Sequence, residues 1–383
     1  MKYLNFQIST NETCGKAESA PEFQIAAKTC ILMVGMSLTK TRGGISTLIG
    51  EILRSDLKDD FAIEYIESQA EDFKGFDKLI LAIKAVFIFF GKVLTKKPKL
   101  VYVHIGSNAS LYRESFFIVL AKIFRKKTIA HFHAGDVEEY LEKQSAIGKK
   151  FISCAIGLSD GLIAVSKDSA QKLRTLAPKN EIEIIANAID STPFAFPVNR
   201  FDVRKKAVRV LFVGAMGKLK GETDLADAVK LIAEKHPNLR VSFLGFGGEN
   251  LQEYCRKLGI ENLIEFVGAV SLEERLGFFE KADIFALPTY AEAMPISVIE
   301  AMAAGLPVVS TTVGGIPELI DDDGDGFLFT PGDSAALAEK ISILASNKDL
   351  RIRIGQKARQ KVSEQMDFSQ YTNKLRNHLL SAI

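Results

Sequence analysis

The run Tyr290–Gly315, YAEAMPISVIEAMAAGLPVVSTTVGG, spells out a strand–loop–helix–strand unit. Apolar runs at Ile284–Leu287 and Val308–Ser310 read as its two strands. Between them the pattern predicts a loop over Thr289–Pro295 and a helix over Ile296–Ala304. Pro295 near the first helical turn suits a fixed φ and a missing N–H. Gly305-Leu306-Pro307 is a helix stop. Amides around Ala293, Met294 and Ile296 are then free donors at a helix N-terminus, which suits a phosphate. Glu292 and Glu300 bracket that position. Carboxylates accept hydroxyl protons well. A ligand with a phosphate core and hydroxyl-rich groups on either side is a nucleotide-sugar.

Glu292 and Glu300 stand as Glu-x7-Glu within E-A-M-P-I-S-V-I-E-A-M-A-A-G-L-P-V-V, followed by Gly314, Gly315 and Pro317-Glu318. The full run resembles the donor-site motif of the retaining glycosyltransferases of family 4. The resemblance implies the GT-B fold: two Rossmann-like, doubly wound α/β domains facing a cleft. It spans roughly residues 29–380.

The length of 383 residues, 47% hydrophobic and 25% charged, suits two or three globular domains. A net charge of +2 names no partner. Cys14, Cys30, Cys154 and Cys255 show no metal spacing and read as reduced thiols of a cytoplasmic protein. The N-terminal stretch lacks the apolar core of a signal peptide, and no transmembrane run is present.

Residues 1–27 lack periodicity and read as an irregular extension. From Thr29 the chain alternates strand and helix: strands over Thr29–Val34, Ala62–Ile66, Leu100–His104, Lys127–Phe132, Gly161–Val165 and Glu183–Ile185, with helices between. This is the pattern of a parallel sheet. Gly43-Gly44, at the start of the first helix, reads as a mere turn or as a place of close approach to a phosphate. The resemblance favours the second, facing the donor diphosphate. His131-Phe132-His133-Ala134-Gly135-Asp136 ends a strand at the sheet edge where ligands collect. There the resemblance places His133 near the transferred sugar, with His131 beneath it and His131, Gly135 and Asp136 toward the acceptor. Asn187-Ala188-Ile189-Asp190 resembles the family hinge, with Ala188 a departure.

Residues 73–127 carry twelve basic side chains against Asp77 and Glu114, a net of +10 that leaves −8 for the rest. They also carry the apolar runs 85–90 and 116–120. Such a surface fits an anionic membrane face. The competing reading is core faces rimmed by solvated lysines. No recognition motif for nucleic acid accompanies the charge.

A second set of strands and helices opens at Lys206–Val213. The loop Gly214–Gly221 pairs glycines with lysines, which suits a diphosphate. The family has an Arg where Ala215 stands; Lys220-Gly221 matches its second half, and Lys218 is the substitute for the missing charge. Gly268 opens the loop on which the family lays the base. Asp321–Gly326 starts like a calcium loop, but position twelve is Gly332, so it reads as a solvated acidic turn. Phe368–Leu380 is amphipathic, and in the family such a helix returns to the first domain.

The expected domains are residues 1–190, completed by the helix within 367–383, and 191–366. The expected activity is retaining transfer of a hexose or N-acetylhexosamine from a nucleotide-sugar, UDP-sugars before GDP-sugars, to a glycan or lipid-linked acceptor of a surface polysaccharide. By resemblance, Glu292 meets the sugar, Glu300 the ribose, Lys220 and the Ala293–Ile296 amides the phosphates, with Gly314-Gly315 near them. No metal and no cofactor are expected. The expected location is the cytoplasm and the cytoplasmic face of the inner membrane. A sugar-nucleotide epimerase, a phosphorylase, and a non-catalytic nucleotide-sugar-binding scaffold stay open as alternatives.

Overall fold

The computed structural model describes residues 28–39, 41, 43–70, 76–197, 207–217 and 219–383. The expectations for residues 1–27, Lys74 and Lys218 lie outside them. The first sheet holds β1 (Thr29–Met36), β2 (Phe61–Gln69), β3 (Leu100–Ile105), β4 (Lys127–Phe132), β5 (Gly161–Ala164) and β6 (Ile182–Ile184). The second holds β7 (Val208–Val213), β8 (Leu239–Leu244), β9 (Ile264–Gly268), β10 (Ile284–Leu287), β11 (Val308–Thr311) and β12 (Gly326–Phe329). The orders are β2-β1-β3-β4-β5-β6 and β12-β11-β10-β7-β8-β9, every recorded pairing being parallel. The fold is two doubly wound α/β units, as the alternation predicts.

The strands are buried on both faces, as parallel sheets require. Along β1, Ile31 and Met33 join one core while Leu32 and Val34 join another, the period-2 consequence of the pleat. The first of these cores continues through β7, β10 and β11, so a single apolar body links the two sheets.

Each strand order reverses once, beside β1 in the first sheet and beside β7 in the second. Ligands of open α/β sheets bind at the carboxyl ends of strands beside such reversals. The loop after β1 holds Gly43. The loops after β7 and β10 hold Lys220 and Glu292. The hinge and the final helix cross between the halves side by side, with Ile189 N–H donating to Met366 O (3.3 Å). The final helix, Phe368–Ala382, then packs on β4, and Arg376 pairs with Asp56 and Asp60 at 2.7 Å each.

Several elements differ from expectation. Helices at Val137–Glu142, Glu249–Leu258 and Ile316–Leu319, and strand β12, were not foreseen. Glu249–Leu258 carries Leu251, Tyr254, Cys255 and Leu258 at i, i+3, i+4 and i+7, an amphipathic stripe in an otherwise polar run. Pro295 is the N-cap, one residue before the helix Ile296–Ala303. The acidic turn is not simply solvated: Asp325 is buried, accepts from Asp321 N–H (2.8 Å) and pairs with Lys361 (3.1 Å). In the run 116–120, Phe117, Ile118 and Leu120 are core, so that half of the supposed surface is interior.

The helix Ile296–Ala303 ends in a Schellman motif: Gly305, at φ +71°, donates to Met302 O (2.8 Å) and Leu306 to Ala301 O (3.0 Å). Arg359 completes the cap. It donates to Ala303 O (3.0 Å), Ala304 O (2.9 Å) and, on the linker, Phe196 O (2.8 Å). Replacing Arg359 with Met keeps the apolar stem and removes these charged donors. Urea unfolding of Arg359→Met is expected to show a loss of about 2–3 kcal/mol; an unchanged midpoint would remove this cap from the account.

Candidate active site

The loops after β7 and β10 are hydrogen-bonded together. Thr289 Oγ1 and Tyr290 N–H both donate to Leu219 O (2.8 Å each). This join sets Lys220 against Glu292, and their side chains form a close ion pair, both only partly exposed. Gly221, at φ +68°, fits against Pro288 O where any side chain would collide. The N-terminus of Ile296–Ala303 has no side-chain cap. Its first amides are therefore left for a ligand or water.

The first half of the chain reaches this loop at three places. Gly44 lies under Ile296, where an added Cβ would stand 3.3 Å from the Ile296 side chain. Gly135 faces the Glu292 backbone, where a Cβ would stand 2.7 Å from the carbonyl carbon. Asn187 donates to Met294 O (2.8 Å) and is itself buried. From the other side, Gly314, at φ +55°, fits against Glu292 O, and Gly315 N–H donates to Ala293 O (3.0 Å). Lys167 N–H donates to Glu318 (2.8 Å) across the same interface. The two halves are closed on one another.

Gly43 differs from these. Its φ of −150° is open to any residue, and nothing lies within 4 Å of an added Cβ. Gly268 likewise has open space, at φ +81°. The chain itself does not require a bare backbone at Gly43 on steric grounds.

Glu300 is 2% exposed. Its Oε1 pairs with Arg275 (2.6 Å), and its Oε2 has no partner. Burial pushes its carboxyl up to about 7, with Arg275 pulling the other way. Glu51, on the first helix of the chain (Gly44–Arg54), is also pushed up to about 7, by burial and then by the charge of Glu300. Arg275 and Glu51 were not singled out in the sequence. Arg275 lies four residues after the helix cap at Ser271, and nothing in its neighbourhood marks it as the partner of a distant glutamate.

His133 is 8% exposed, and burial pushes it down to about 3, so its ring is neutral at physiological pH. Its Nε2 meets His104 Nδ1 at 3.1 Å. His131 lies fully buried beneath, with Nδ1 on Tyr102 OH (2.6 Å). Gly135 was assigned to the acceptor. The structure presses it against the Glu292 backbone, with Lys172 donating to its carbonyl (3.0 Å). Asp136 caps the short helix Val137–Glu142 with no side-chain cap bond. The site brings together Gly43, Gly44, Lys220, Gly221, Glu292, Ala293, Met294, Pro295, Ile296, Gly314 and Gly315.

Residues 197–361 match the family model for glycosyl transferases group 1. The chain carries a glycosyl transferases group 1 domain. Among curated proteins it is similar to D-inositol 3-phosphate glycosyltransferase of Corynebacterium kroppenstedtii, 31% identical over 48% of this chain and 44% of that protein. The sulfoquinovosyl transferase SQD2 of Arabidopsis thaliana is 31% identical over 57% of this chain and 43% of that protein. The amylovoran biosynthesis glycosyltransferase AmsK of Erwinia amylovora is 27% identical over 65% and 62%. The matched stretch thus spans less than half the length of the first two relatives. Among solved structures, the sucrose-phosphate synthase of Thermosynechococcus elongatus superposes with a TM-score of 0.80 at 16% identity, covering 93% of this chain and all of that one. Alr3699/HepE of Anabaena, in complex with UDP and glucose, gives 0.73 at 20% identity, covering 92% and 100%. These structures share the fold.

A carboxyl whose folded pKa is raised binds its proton more tightly when folded. Its stabilising effect is complete below the unfolded value of 4.5 and is lost as pH rises through about 7. Thermal unfolding of the wild type is expected to lose stability between about pH 5 and pH 7. Glu300→Gln, uncharged throughout, is expected to flatten that slope. An identical pH profile in the variant would show that Glu300 is ionised in the folded protein over this range.

Proposed function

We propose that the protein is a retaining, metal-independent glycosyltransferase that moves a hexose or N-acetylhexosamine from a nucleotide-sugar to a glycan or lipid-linked acceptor. One observation carries the reading. The two loops at the switch point of the second sheet place a lysine–carboxylate pair beside an uncapped helix N-terminus, and the open backbone of Gly43 belongs to the helix whose next residue packs on that terminus.

In this mechanism the donor diphosphate takes Lys220 and the Ile296 end of the helix, and Lys220 leaves Glu292. The freed Glu292 accepts a hydroxyl proton of the donor sugar. Glu300, held by Arg275, presents its unpartnered oxygen to the ribose. As the bond between sugar and phosphate breaks, charge grows on the leaving phosphate. Lys220 and the helix amides stabilise it in a site that excludes bulk water. Among the described residues we assign no second carboxylate to double displacement. The acceptor therefore attacks from the face the phosphate leaves, and a phosphate oxygen takes its proton. His133, neutral and buried at the end of β4, serves as a hydrogen-bond partner to the sugar or acceptor.

UDP-sugars are the first donors to test. Thermal shifts with UDP, GDP and their sugars, without metal, and initial rates with a polyprenyl-phosphate or glycan acceptor form the assay. Glu292→Gln and Lys220→Met are each expected to lower kcat by about 10²–10³-fold. Turnover unaffected by both would sink the proposal. A nucleotide shift without turnover would move the protein to the scaffold reading, which Ala215 in place of the family Arg keeps in view.

The acceptor side carries a membrane face. The helix Phe76–Lys96 has 21 residues, and its buried residues are Ala85, Phe89 and Val93. Its outer side exposes Phe76 (73%), Ile83 (49%) and Phe87 (72%). Lys78 and Lys84 are exposed on the same helix, among the basic residues of this region. A soluble core does not account for this side. An anionic bilayer accounts for both the aromatics and the charge. Among the described residues no helix is long and apolar enough to cross a membrane. The proposed location is peripheral, on the cytoplasmic face of the inner membrane. Co-sedimentation with phosphatidylglycerol vesicles is expected, with little binding to phosphatidylcholine. The double variant Ile83→Ser, Phe87→Ser is expected to lose at least ten-fold in partitioning. Equal partitioning of wild type and variant would remove the helix from the membrane.

A further inference from the structure

Three imidazoles meet beneath the cleft. His104 in β3 pairs in register with His131 in β4, and His133 follows two residues later. The pleat therefore puts all three on one face. The ring centroids are 4.1 Å apart for His131 and His133, 5.3 Å for His104 and His133, and 5.4 Å for His104 and His131. One ring nitrogen from each lies within 4.8 Å of the others. The rings use half of their polar atoms: His131 Nδ1 on Tyr102, and His104 Nδ1 on His133 Nε2. The remaining nitrogens, His104 Nε2, His131 Nε2 and His133 Nδ1, are buried with no partner among the described residues. An unpartnered buried polar atom is costly, and three within one group of adjoining rings call for a partner.

We propose that His104, His131 and His133 form a binding site for a borderline divalent cation of the Zn²⁺ class. Imidazole is a favoured ligand for such ions, and burial keeps these rings in the neutral form that coordinates. Two nitrogens on one tetrahedral zinc stand about 3.4 Å apart. His104 Nδ1 and His133 Nε2 are 3.1 Å apart. Rotation about each Cβ–Cγ bond selects the nitrogen presented. Tyr102, on the far nitrogen of His131, is the outer partner that metal-bound histidines carry. Three protein ligands would leave a fourth position, where hydroxide would reduce the net charge. The site is separate from the donor phosphates, which rest on Lys220 and the helix amides, and goes beyond the transferase reading.

The test uses the full chain without a polyhistidine tag. Elemental analysis of the purified protein comes first, followed by Co²⁺ titration after chelator treatment. One equivalent of metal, the visible bands of a four-coordinate nitrogen-ligated Co²⁺, and a raised Tm are expected. His104→Ala and His131→Ala are expected to abolish them. Tyr102→Phe, which keeps the ring packing, is expected to weaken Co²⁺ binding about ten- to hundred-fold. A folded wild type that takes up neither Zn²⁺ nor Co²⁺ stoichiometrically overturns the proposal and assigns the orphaned nitrogens to water. Should the alanine variants fail to fold, unchanged affinity in Tyr102→Phe overturns it too. Glu292→Gln, which touches none of these rings, is expected to bind Co²⁺ normally, so loss of transferase activity and loss of the metal site are read apart.

Discussion

The backbone of Glu292 is clamped between two glycines from opposite halves of the chain. Gly135 presses on its carbonyl carbon from one side, and Gly314, in the left-handed region, fits against its carbonyl oxygen from the other. A methyl group at either place would force the carboxylate-bearing loop to move. The site is therefore not a loop that happens to lie in a cleft. It is the point at which two independently twisted sheets make backbone contact, and the rest of the architecture serves to bring those contacts into line. Asn187 holds the next residues from the hinge, and Arg359 ties the far end of the same helix to the linker. The helix Ile296–Ala303, whose uncapped N-terminus is the proposed anion site, is thus fixed at both ends, which is what preorganisation needs.

The charges in this closed state are paired so that each is available for exchange. Lys220 and Glu292 neutralise one another, and in the proposed mechanism a diphosphate and a sugar hydroxyl replace each partner for the other. Glu300 is treated differently. It is almost completely buried, has one oxygen on Arg275, and faces the field of Glu51 from the opposite half. Desolvation outweighs the single arginine, which is why its carboxyl stays so easily protonated. In the proposed mechanism a hydroxyl-rich ligand would supply the missing hydrogen bonds and favour the ionised form, so that closure with and without ligand would differ in protonation as well as in contacts.

Both sheets were legible because parallel strands buried on two faces read as short apolar runs, and helices between them set the order. Glu292, Glu300 and Lys220 were legible because their surroundings, a proline before a helix and a glycine loop after a strand, carry their own local signals. What the sequence hid was long-range. Arg275 meets Glu300 across 25 positions, and Asn187 meets Met294 across 107. No local pattern encodes such pairs. The run 116–120 shows the opposite error. Its apolar residues were read together with the lysines as surface, whereas the helix turns Phe117, Ile118 and Leu120 inward. Helical periodicity over five residues is too short to decide which way an all-apolar stretch faces.

The helix Phe76–Lys96 links the proposed membrane face to the proposed chemistry through topology alone. In a parallel βα unit the helix begins at the carboxyl edge of the sheet and runs back toward the amino edge. It follows β2, so Phe76 lies at the cleft end and Lys96, paired with Glu64 (3.0 Å), at the far end. The exposed apolar residues Phe76, Leu79, Ile80, Ile83, Phe87 and Ile88 lie between positions 76 and 88, toward the cleft end of the helix, with Leu94 alone beyond them. A bilayer seated there, as proposed, would meet the protein beside the carboxyl edge of the first sheet, where His133 follows β4. In the proposed arrangement a long apolar acceptor would keep its chain in the lipid while its polar end crosses only the rim of the sheet. On that reading the asymmetry along one helix suits a lipid-linked acceptor better than a soluble one.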